Sequence, residues 1–209
     1  MDKPTTWRHI HEERRAMATT LAGLAPDQWE APSLCAGWSV KDVAAHVIAH
    51  PQTGWAQLAP MLVRNLGRGY NTIMFREVKR LGTGATPASV LADFATYDTS
   101  LRKVPTTTVV DPLIDVLVHH QDVTRALGLH REMSPVAAAV AADRARTLAF
   151  LNGSREVVRS TRMVATDLDW VRGRGPTIEG PMQELLMVCM GRARVAQDLV
   201  GDGLELVST

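Results

Sequence analysis

Helix-start signals recur along this chain and constrain its fold more than any other feature. Thr86-Pro87, Asp111-Pro112 and Ser134-Pro135 each set a capping side chain directly before a proline. Proline suits the first turn of a helix, where the N–H it lacks has no intrahelical acceptor to lose. Helices are therefore expected over residues 87–103, 111–127 and 135–151, the last rich in alanine. Ser39 opens another over 40–49, with Asp42 three positions on in a variant of the capping box, and Pro51 kinks or ends it. Thr5 or Thr6 caps a first helix to about Leu21, closed by Gly23 and Pro26. Shorter helical stretches fit 55–65 and 71–81.

Past Gly153 the texture changes. Val157, Val158, Met163 and Val164 suggest a strand. Trp170-Val171 and Thr177-Ile178 suggest a hairpin turning at Gly173 and Gly175, and Gly180-Pro181 introduces a last helix over 182–199. The expectation is a mainly α protein: a bundle of four principal helices plus a fifth over 1–152, then a small α/β domain over 153–209.

Bulk properties narrow the function. With 45% hydrophobic and 22% charged residues, the 209-residue chain can bury a core. A formal net charge of +1 gives no general reason to expect nucleic acid or an anionic membrane as partner. Cys35 and Cys189 form no disulfide framework and no Cys-x-x-Cys pair, which suits a reducing cytoplasm. The charged N-terminus lacks the apolar stretch of a signal peptide, and no window approaches the roughly 18 apolar residues of a spanning helix. Apolar helix faces fit a monomer or a homodimer equally well.

Three residues carry the candidate chemistry. Asp115 and His119 stand four apart on one helix, so their side chains point the same way and can reach one cation. His46 lies on another helix, near the apolar stripe of Val43, Val47 and Ile48. Together they can close three corners of a tetrahedron and leave the fourth open, as in catalytic zinc sites. Blander readings stand beside this one. An acid four residues before a histidine is usually an exposed helix pair, and a lone histidine on an apolar face is usually a satisfied core group. His46 and His50 form a second i, i+4 pair, which spacing cannot choose against.

Asp122 can hold the His119 imidazole in one tautomer or compete as a ligand, and His120, about 100° round the helix, hydrogen-bonds elsewhere or faces solvent. Cys35 reads as a packed, inert thiol with no charged partner close in sequence, and Trp38 as packing at the helix entrance. Arg76 and Arg192 are candidates for binding an anionic substrate, with solvated arginines as the plainer reading.

SLCAGWSVKDVAAHVIAH, residues 33–50, resembles the Cys-x-Gly-Trp-Ser/Thr-Val-x-Asp-Val-x-x-His signature of the mycothiol-dependent maleylpyruvate isomerase family, built on a DinB-like metal-binding four-helix bundle. DVLVHHQDVTRALG, residues 115–128, is similar to that family's acidic-x-x-x-His segment. VATDLDWVRGRGPTIEGPMQELLMVCMGR, residues 164–192, resembles its small C-terminal domain. The ordered trio spans most of the chain.

The resemblance implies a divalent metal, usually zinc, held by His46, Asp115 and His119, with mycothiol as thiol cosubstrate. It also places Arg192 where the family has an active-site arginine, with Arg76 a weaker match to a second. The family commonly has Glu where this chain has Asp115, so its helices must approach more closely or a water must intervene.

The resulting expectation is a metal-activated thiolate adding to a small electrophile, as a thiol transferase or a cis–trans isomerase. A non-catalytic metal- or thiol-binding stress or regulatory protein is the alternative. A metal-assisted hydrolase ranks third, because only Asp122 or His120 stands near enough in sequence to act as base.

Overall fold

A computed structural model describes residues 1–207. Among the described residues, ten α-helices and three strands run in the order α1 (Lys3–Ala22), α2 (Val40–Ala49), α3 (Trp55–Arg64), α4 (Tyr70–Gly84), α5 (Pro87–Tyr97), α6 (Asp111–Ala126), α7 (Pro135–Thr147), α8 (Ala149–Asn152), α9 (Arg155–Ser160), β1 (Arg162–Ala165), β2 (Val171–Gly173), β3 (Thr177–Gly180) and α10 (Met182–Cys189). None of these helices is long and apolar enough to cross a membrane.

The chain divides into two units, 1–131 and 132–209. This division follows packing, whereas the boundary expected at 152/153 follows the change in sequence texture. Helix α7 lies flat against α10, which assigns it to the second unit.

In the first unit, α1, α2, α5 and α6 form the four-helix bundle, with α4 laid along α2. Its core joins Met17 and Leu21 of α1, Val43, Val47 and Ile48 of α2, Phe94 of α5, and Val116 and Val123 of α6. The Ser39–Asp42 capping box forms as expected. Ser39 Oγ accepts from Asp42 N at 3.2 Å, and Asp42 Oδ2 accepts from Ser39 N at 2.9 Å. Helix α2 stops at Ala49, and Pro51 continues the chain as a single 3-10 turn, His50–Gln52. Gly82 lets α4 approach α2: a Cβ there would stand 1.8 Å from Asp42 Oδ1 and 3.0 Å from Asp42 Cα.

In the first unit, the start of α1 and the end of α5 differ from expectation. Asp2, not Thr5 or Thr6, caps α1 by accepting from Thr5 N at 2.9 Å, so Pro4 falls in the first turn. Helix α5 stops at Tyr97 rather than near 103, because the buried Arg14 guanidinium takes its terminal carbonyl acceptors. Arg14 Nη1 donates to Tyr97 O at 3.3 Å and to Ser100 O at 3.0 Å.

The second unit packs the alanine face of α7 (Ala138, Ala141, Ala142, Ala145) on α10, whose Leu185 and Leu186 are buried. Small side chains allow that close approach. Leu148 breaks the expected 135–151 helix into α7 and α8. Val157 and Val158 lie in α9, not in a strand: adjacent apolar residues do not alternate, so no period of two was present. Met163 and Val164 do form β1.

The expected hairpin is replaced by the sheet order β2-β1-β3. Strand β1 runs antiparallel to β2 and parallel to β3, with Met163 opposite Arg172 and Ile178. The last helix ends at Cys189 instead of 199. Gly191 turns left-handed (φ 75°), and Arg192 N reaches back to Met187 O at 2.8 Å, a Schellman closure.

Candidate metal centre

Helices α2 and α6 position the site. His46 projects from the second turn of α2, about one turn before that helix ends at Ala49, while Asp115 and His119 project one turn apart from α6. The structure brings all three together. His46 Nε2 lies 3.1 Å from Asp115 Oδ1, and His119 Nε2 lies 3.5 Å from the same oxygen. One ligand atom from each of the three falls within 4.8 Å of the others. The helices approach closely enough for Asp115, one methylene shorter than Glu, to touch His46 directly.

These residues fit a divalent cation. Tetrahedral ligands at about 2.1 Å from a metal stand about 3.4 Å from one another, close to the separations found. Asp115 Oδ2 is buried without a hydrogen-bond donor, as is His50 Nδ1 without a partner, and a cation would satisfy the carboxylate. Burial alone would raise the Asp115 pKa, but the imidazoles of His50, His46 and His119 hold it well below the usual carboxylate range. Burial lowers that of His50, whose Nε2 stands 3.5 Å from Asp115 Oδ2.

Behind the ligand set runs a relay. His119 Nδ1 lies 2.8 Å from Asp122 Oδ2, which also accepts from Cys35 Sγ at 3.1 Å. A carboxylate can only accept, so Nδ1 carries the proton and Nε2 keeps its lone pair for the shared centre. Cys35, His119 and Asp122 form a second group of side chains that could hold a cation, with Asp122 fully buried (0% exposed) where Asp115 is 15% exposed. Cys35 thus has a charged partner after all, 87 positions away in the chain and invisible to a local reading.

Trp38 does more than pack the helix entrance. Its ring stands 5.6 Å from that of His46 and 5.9 Å from that of His119, walling both imidazoles. His50 sets its ring edge-on to His46 at 5.5 Å. The i, i+4 spacing signalled His50 and the Cys-x-Gly-Trp segment contained Cys35 and Trp38, but no local signal gave their contacts or pointed to the buried Arg14. Arg14 also belongs to this electrostatic setting: burial lowers its pKa to about 10, offset in part by Asp115 and Asp98.

His120 faces away, as its 100° offset required. Buried, it makes contacts of 2.6 Å from Nδ1 to Glu13 Oε1 and 2.9 Å from Nε2 to Thr20 Oγ1. His120 and Asp122 are both fully buried and hydrogen-bonded. Arg76 is exposed on α4, and Arg192 follows α10 in the second unit, where its Nη1 donates to Met190 O at 2.7 Å.

Residues 10–124, more than half of the chain and containing all three candidate ligands, match the sequence profile of the mycothiol maleylpyruvate isomerase N-terminal domain. The chain belongs to this family. Two solved structures share the fold of this family member. A crystal structure of the mycothiol-dependent maleylpyruvate isomerase is 14% identical, with TM-score 0.63, over 97% of this chain and 93% of that one. A histidine-to-alanine mutant of the isomerase is 13% identical, with TM-score 0.60 and the same coverage. No curated protein matches in sequence.

Proposed function

We propose that the chain is a metal- and mycothiol-dependent enzyme of the isomerase type, acting in the cytoplasm, with thiol transfer to a small electrophile as the wider reaction class. The observation that carries this reading is the convergence of His46 Nε2 and His119 Nε2 on Asp115 Oδ1. Family membership and the shared fold support it. A divalent cation held by these three residues, zinc by the chemistry of two imidazoles and one carboxylate, would supply a Lewis-acid centre that lowers the pKa of an incoming thiol.

The chain's own residues do the rest. Asp122 fixes the His119 tautomer and ring plane, and Trp38 keeps one side of both imidazoles apolar. A mycothiol thiolate adds to one carbon of a conjugated cis double bond, and the π pair moves to the other carbon and its adjoining carbonyl. Rotation about the new single bond and expulsion of the thiolate restore the double bond as trans. Uptake of a proton after addition gives the S-adduct instead. Arg76 and Arg192 stand as the proposed catalytic cations for an acidic electrophile, on the chemistry of the planar guanidinium rather than on a distance.

The test is turnover of maleylpyruvate and a panel of activated alkenes with mycothiol, before and after chelation. The reading expects thiol-dependent turnover that chelation abolishes, added zinc restores and His119→Ala lacks. Metal and thiol binding without turnover of any electrophile contradicts it and favours the binding protein.

A further inference from the structure

A cleft of about 590 Å³ lies along one face of α1, between that helix and the segment carrying Leu101, Lys103 and Val109. No residue lining it belongs to the ligand set of the metal centre. Its size falls within the range of small-molecule sites, and its lining is mostly apolar. Trp7, buried at 6% exposure, forms part of that lining with Leu101 and Val109. Lys3, Arg8, Arg15 and Lys103 also line it, against the single carboxylate of Glu12. Arg15 is already held by Asp98 at 2.8 Å, and Arg8 stands 3.9 Å from Glu12. Lys3 forms no ion pair among the described residues, and Lys103 donates only to the carbonyls of Val104 and Thr107, which leave its charge uncancelled.

The wall also holds an orphan. His11 Nε2 is buried and has no hydrogen-bond partner, and burial lowers the pKa of this imidazole. The cleft thus joins apolar area to surplus cationic charge.

We propose that this cleft binds a small anionic amphiphile, a carboxylate carrying an aliphatic or aryl body, independently of the metal centre. The tail covers Trp7, Leu101 and Val109, and the carboxylate meets Lys3 and Lys103. Charge and apolar area are both required, so neither a neutral alcohol of the same length nor a short carboxylate is an adequate substitute.

The experiment is isothermal titration of the full chain with octanoate, 1-octanol and acetate. Octanoate is expected to bind one per chain, and the other two to bind more weakly by about ten-fold or more. Lys3→Glu/Lys103→Glu, with folding checked by circular dichroism, is expected to weaken octanoate by about ten-fold or more. Binding in His46→Ala is expected to be unchanged. Absence of octanoate binding, equal binding of octanol, or binding lost in His46→Ala but kept in the double variant overturns the proposal. None of these results bears on thiol-dependent turnover at the metal centre.

Discussion

His119 Nδ1 lies 2.8 Å from Asp122 Oδ2, so a fully buried carboxylate sets which nitrogen of that imidazole faces Asp115. A single helical turn of α6 therefore supplies both a candidate ligand and the group that orients it. Replacing Asp122 by Asn puts an amide that can also donate in place of an obligate acceptor. Metal affinity, measured by competition with a chromogenic chelator, is expected to fall by about 10- to 100-fold. An unchanged affinity would mean that the relay does not orient His119.

The Glu13–His120 pair is expected to matter for stability and not for the metal. Glu13→Ala leaves buried His120 without its 2.6 Å partner on Nδ1 and removes the carboxylate that accepts from Arg131 Nη2. Urea unfolding is expected to show a loss of about 3 kcal/mol, with the metal content of the folded fraction unchanged. A metal loss as large as that of a ligand variant would tie this network to the site instead.

The close approach of α4 to α2 is open to a steric test. Gly82→Ala drives a methyl into Asp42, including its Cα at 3.0 Å, so the helix must shift rather than a flexible side-chain tip. Thermal or urea unfolding is expected to show destabilisation of about 1–3 kcal/mol. Full stability would show that the two helices can separate at no cost.

Acid sensitivity follows from Glu77. Burial would raise its pKa, but donors from Arg64 at 2.8 Å, Arg80 at 2.9 Å and Asn65 at 2.7 Å bring it down to about 2, against an ordinary value of 4.5. A depressed folded pKa means stability that is present above the unfolded value and lost as pH falls through the folded one. The stability gap between wild type and Glu77→Gln is thus expected to be constant above about pH 5 and to shrink between about pH 4.5 and 2. A gap that stays constant to pH 2 contradicts the assignment.

Much of the fold was legible where local chemistry governs it. Ser39 with Asp42, Pro51, and the cap–proline pairs before α5, α6 and α7 each announced an element that formed. Reading failed where distant groups decide. Arg14, fourteen residues into the chain, ends α5, and Gly191 with Arg192 closes α10 ten residues before a periodicity argument would. Strand pairing around β1 depends on the parallel return of β3, which no local signal encodes.

The site divides the same way. The i, i+4 geometry of Asp115 and His119 could be read from spacing, and the resemblance joined His46 to them. The contacts of Trp38 and Cys35 arise from tertiary packing alone.

The most direct test is the divalent metal content of purified wild type compared with His46→Ala, Asp115→Ala and His119→Ala, with folding checked by circular dichroism. One equivalent of zinc in wild type and little in any folded variant is the expected result. Equal occupancy in all four proteins, or none in a wild type purified and dialysed with zinc, would contradict the convergence of these three side chains on a metal.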